Sequence, residues 1–163
     1  MRDNPLRELL GAITARDDAW TAVLGRLDEL GRDDQTSVAG VQHDVGEYLE
    51  DTAALLDTLA LAVEGGRVDW AEVLDAAHGY LGNPDDLVSD EQGVLGILDD
   101  AFVCRCLLRQ AADAARQRQL TPPVQVDGLP AEQTVRQLLG VPVAATLEVA
   151  ARQTVADLVQ GWR

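Results

Sequence analysis

The chain has 163 residues, enough to bury a sizeable core within one domain. Its residues are 47% hydrophobic but only 4% aromatic, and a Leu/Val/Ala core of that kind suits closely packed helices better than strands. The formal net charge of −15 excludes general nucleic-acid binding, because phosphates would be repelled rather than neutralised.

Asn4-Pro5 reads as a helix start, with Leu6, Leu9, Leu10 and Ile13 on one face. Around Asp17 this helix continues or a second begins, with Trp20, Val23, Leu24, Leu27 and Leu30 at helical spacing. Gly31 to Ser37 reads as a polar connector. The clearest helix follows, its stripe running through Val41, Val45, Tyr48, Leu49, Thr52, Leu55, Leu56, Leu59 and Val63 until Gly65-Gly66 ends it. Asp69, with Glu72 three residues on, reads as the cap of a helix carrying Trp70, Val73, Leu74, Ala77, Tyr80 and Leu81.

Tyr80 to Cys104 is the most locally specified stretch, with five aspartates, three glycines and a proline between two helical segments. Asn83-Pro84 signals a helix start with Asp85 and Asp86 in its first turn, where the dipole favours negative charge. Ser89 and Gln92 form a second start with capping-box spacing, so the first helix is held to about one tight turn. A long helix then runs from about Gln92 to Gln119. Thr121 to Leu129 is an extended connector stiffened by two consecutive prolines. Pro130 opens a short helix (Val135, Leu138, Leu139) that Gly140 stops, and Pro142 opens the last, with Leu147, Ala150, Val155, Leu158, Val159 and Trp162 facing inward. The expectation is an all-α single domain, residues 1–163, of six to eight helices, with residues 120–163 as a C-terminal helical extension.

Pro84, Asp86, Leu87, Asp90, Gly93, Leu95, Gly96, Leu98, Asp99 and Asp100 together resemble the signature of the YkvA-like family, a small bacterial domain of unknown function. The likeness spans about Val68 to Leu108, within a core of residues 68–119. It departs from the family at Asp85, Glu91 and Gln92, where members usually carry apolar residues, and at Ser89, where they carry Pro. The resemblance implies a fold and brings no settled activity.

On a helical wheel of the long helix, Arg105, Arg109, Asp113 and Arg116 form a solvent face. Ile97, Val103, Cys104, Leu107, Leu108 and Ala111 lie opposite, with Asp100 in the middle of the apolar arc and Asp99 at its edge. A carboxylate so placed must be hydrogen-bonded, paired, protonated or bound to a cation. Asp100 is expected to accept backbone N–H groups from the helix starts at Asn83 or Ser89. The alternative is an oxygen-ligand site for Mg²⁺ or Ca²⁺ built from Asp86, Asp90, Asp99 and Asp100, although the spacing is not that of an EF-hand. Cys104 and Cys106 fall about 200° apart on one helix, too far to chelate one ion, and read as reduced thiols. His43 with Glu47, and His78, read as surface or satisfied core residues. There is no G-x-S-x-G elbow and no phosphate-binding glycine loop, so no nucleophilic machinery is visible and no catalytic residue is assigned.

Residues 41–100 hold fifteen acids against Arg67, whereas residues 101–163 hold seven arginines against five acids. The expectation is a non-enzymatic cytoplasmic interaction or accessory protein that binds a basic protein partner through this acidic middle. The alternative is a divalent-metal-binding protein or metal-dependent enzyme at the aspartates. Membrane association is disfavoured, since anionic lipid would repel the acidic face. Self-association is left open.

Overall fold

The computed structural model describes residues 3–32, 34–81 and 93–162. Seven α-helices follow in order: α1 (Pro5–Thr14), α2 (Thr21–Glu29), α3 (Gln35–Glu64), α4 (Ala71–Leu81), α5 (Val94–Gln117), α6 (Ala131–Leu139) and α7 (Val141–Leu158). Single 3-10 turns, Val68–Trp70 and Val159–Gly161, precede α4 and follow α7. Among the described residues there is no strand, and the all-α architecture stands. The one-turn helix expected at Asn83-Pro84, the Ser89/Gln92 start, Asp86 and Asp90 lie outside the described residues.

Helix α5 is the axis of the fold and packs against every other α-helix, most extensively α7 and α4. Every residue from Val94 to Leu108 is buried, on all sides of the helix. That surrounds Asp99, Asp100 and Arg105, each 2% exposed, with protein, so α5 behaves as a core helix although its sequence reads as amphipathic.

Asn4 shows how local signals and tertiary contacts coincide. Its side-chain oxygen accepts from the N–H groups of Leu6 and Arg7 at the start of α1. Its Nδ2 donates to the Ala53 carbonyl at 2.8 Å and to Asp57 at 2.7 Å, while Arg7 Nε reaches the other Asp57 oxygen at 2.8 Å. One cap thus starts α1 and fastens it to the middle of α3.

Two expected boundaries move. Helix α3 begins at Gln35 inside the stretch expected to be a connector, because the Asp34 carboxylate accepts from the Ser37 N–H at 2.9 Å and caps it. Asp69 does not cap α4. Its carboxylate faces the guanidinium of Arg67, at 3.2 Å for both contacts, and a 3-10 turn carries the chain into the helix. Around Asp17 the helix is interrupted and a second one follows, since α1 stops at Thr14 and α2 starts at Thr21.

Candidate functional site

Asp99 and Asp100 sit in the second turn of α5, behind the N-cap glycine Gly93. The wheel put Asp99 at the edge of the apolar arc, but it is buried as fully as Asp100, because neighbours enclose α5 all round. The Asp100 side of the helix faces α4: one turn on, the Cys104 thiol donates to the Ala77 carbonyl at 3.5 Å. Burial, and next the nearby Asp100 carboxylate, hold the Cys104 thiol well above its ordinary range. Burial likewise pushes Cys106 up to about 12, so both thiols stay protonated and are poor nucleophiles. Neither aspartate lacks an interaction partner. Of the four aspartates expected to gather around a cation, the structure places Asp99 and Asp100 side by side on α5, and the other two, Asp86 and Asp90, fall outside the described residues. Among the described residues no group of three His, Cys, Asp or Glu side chains is arranged to hold a metal ion. His43 is exposed, 4.0 Å from Glu47.

The face assigned to solvent by the wheel is a correction. Arg105 is buried, its Nη1 paired with Asp51 of α3, its Nη2 donating to the Asp127 carbonyl at 2.9 Å, and its guanidinium 5.0 Å above the Tyr48 ring. Arg109 is half-buried and meets Glu132 of α6 through two parallel bonds of 2.9 and 3.1 Å. Glu132 also lies 3.7 Å from Arg136, which pairs in turn with Glu148 of α7 and stacks 5.2 Å from the Phe102 ring. Asp113 and Arg116 alone of the four expected face residues are exposed, and they pair with each other at 2.9 Å. This ladder binds α5, α6 and α7 through partly desolvated pairs, of which the bidentate Arg109–Glu132 pair is the strong kind.

Arg109 holds the Glu132 carboxyl below the usual carboxylate range, chiefly by its hydrogen bond and against the opposing effect of burial. The folded-state value is depressed, so the stabilisation is full above the ordinary glutamate value and fades as pH falls through the lower, folded one. Acid titration of melting temperature should show this loss below about pH 4.5. Glu132→Gln should lower stability at neutral pH and flatten that acid limb; an unchanged limb would refute the assignment.

A surface groove of about 360 Å³ opens between the start of α4 and the C-terminal 3-10 turn, lined by Val68, Asp69, Glu72, Leu120, Leu158 and Trp162. Sequence reading missed it, because its walls come from three segments whose only common signal is apolar residues near helix ends. Comparison with protein-family models, curated proteins and solved structures finds no match, so the residues themselves carry the functional argument.

Proposed function

We propose that the chain is a non-enzymatic helical interaction module of the YkvA-like kind, cytoplasmic, that engages a basic protein partner through its acidic surface. The observation that carries the reading is how charge is sorted between inside and outside. Arg105, Arg109 and Arg136 turn onto Asp51, Glu132 and Glu148 within the helix interfaces. Among the acids of the middle third that face outward, Glu47 on α3 and Glu72 on α4 have no arginine partner among the described residues, while Glu50 and Asp69 meet one arginine each, Arg7 and Arg67. Such a surface speeds the encounter with a cationic partner and disfavours anionic ones. No described helix is long and apolar enough to cross a membrane.

The test is affinity capture with the parent and with Glu47→Gln/Glu50→Gln/Glu72→Gln. Each exposed charge contributes about 0.5 kcal/mol to such a contact, so the triple variant should bind about tenfold more weakly. Recovered partners should be basic and should be lost on raising salt. Capture that ignores all three substitutions overturns the reading. A melting-temperature rise specific to Mg²⁺ or Ca²⁺, unmatched by monovalent salt at equal ionic strength, would instead return the function to a cation at Asp86, Asp90, Asp99 and Asp100.

A further inference from the structure

We infer that the groove between α4 and the C-terminal turn is the docking site for that partner, and that it receives an amphipathic segment presenting an arginine or lysine beside apolar side chains. The inference rests on the interaction reading above and specifies where and how the contact is made. Three features of the groove point to this occupant.

The first is apolar surface in the open. Val68 stands at the lip of the groove with 74% of its surface exposed, and half-buried Leu120, Leu158 and Trp162 continue inward from it. Contiguous exposed apolar surface around a concavity marks a contact site rather than the scattered hydrophobics of an ordinary surface. The second is a rigid aromatic. The Trp162 ring lies 5.0 Å from the ring of fully buried Trp70 at an interplanar angle of 43°, which backs it from behind. A partly exposed indole held in this way is a good anchor for an apolar side chain and for the face of a cation.

The third is the sign of the rim. Asp69 is already matched by Arg67, whose Nη2 also donates to the Thr121 carbonyl at 3.0 Å. That engages the nearby cation and leaves Glu72, exposed and without an ion pair among the described residues, as the uncompensated charge at the groove. A second copy of a chain carrying −15 would be repelled here, whereas a cationic segment is drawn in. Two other grooves among the described residues fit less well. One between α1 and α3 includes Arg7, already bonded to Glu50 and Asp57. One between α5 and α7 presents Arg118 and Arg152 against the single acid Asp113, a net positive lining.

The probe is a synthetic helical peptide with leucines on one face and arginines on the other, compared with the same peptide carrying glutamine for arginine. Binding is measured by calorimetry and by the indole N–H resonances of the full chain. The arginine peptide should bind at least about tenfold more tightly than the glutamine one and should shift the Trp162 indole resonance. Val68→Ser should weaken it about fivefold and Glu72→Gln about threefold, whereas Glu47→Gln/Glu50→Gln, on α3, should change it less than about twofold. Both substituted groove positions are exposed, so the fold tolerates them. Binding of the arginine peptide that ignores Val68→Ser and Glu72→Gln overturns the groove and leaves the acidic-surface reading intact. Equal binding of the two peptides, or none by either, overturns both.

Discussion

Replacing Asp51 by alanine is expected to destabilise the fold by about 3 kcal/mol, more than replacing the arginine it faces. The two partners differ in burial, with side chains 2% exposed at Arg105 and 43% exposed at Asp51. Without Asp51 a guanidinium is left in the interior, held only by the Asp127 carbonyl and the Tyr48 ring, and an uncompensated buried charge is the costly case. Without Arg105, the Asp51 carboxylate returns to water. Arg105→Met also keeps most of the buried stem volume, so it should lose only the charge-assisted bonds, about 1–2 kcal/mol. The double variant Asp51→Ala/Arg105→Met should therefore be more stable than Asp51→Ala alone, because removing the stranded cation relieves its desolvation. Urea denaturation of the four proteins measures the cycle. If Arg105→Met proves the more damaging single change, the pair is not the buried-cation device described.

That pair also shows what the sequence made legible and what it hid. Asn4-Pro5, the α3 stripe from Val41 to Val63 and the Gly140 stop were readable because each is a local rule: a cap, a period, a terminator. Arg105 was misread as solvent-facing because a helical wheel knows only spacing along its own helix. What covers Arg105 comes from elsewhere: Asp51 is 54 residues away and Asp127 is 22 away. Even a correct wheel cannot announce that a polar face will be met by complementary acids from α3 and α6. Asp69 failed as a cap for a related reason, since Arg67 two residues back bound its carboxylate first. The candidate groove was hidden more completely, because Val68, Leu120 and Trp162 share no motif and meet only when the C-terminal turn packs beside α4. The acidic character of the surface, by contrast, followed from composition, because charged side chains without buried partners remain in water.

Gly93, in the central Asp-rich stretch, is at once a turn position and a close-packing position. It enters α5 at φ +67°, ψ −128°, a conformation that residues with a Cβ rarely adopt. A Cβ there would also lie 2.4 Å from the Ala19 carbonyl oxygen, a backbone atom that cannot rotate aside. The close approach exists because Val94 N–H donates to that same carbonyl at 2.9 Å, pinning the start of the central helix to the link between α1 and α2. Gly93→Ala should thus combine backbone strain of about 1–3 kcal/mol with a steric overlap relieved only by breaking this bond, for a total of about 3–5 kcal/mol. Gly40→Ala supplies the contrast. Gly40 lies inside α3 with no atom within 4 Å of an added Cβ, so alanine should raise stability by about 0.5–1 kcal/mol through helix propensity and a less flexible unfolded chain. Opposite signs for one chemical change at two sites is the expected result in urea or thermal unfolding. A Gly93→Ala protein within about 1 kcal/mol of the parent would mean that α5 does not enter the core through this contact, and the placement of Asp99 and Asp100 in its second turn would fall with it.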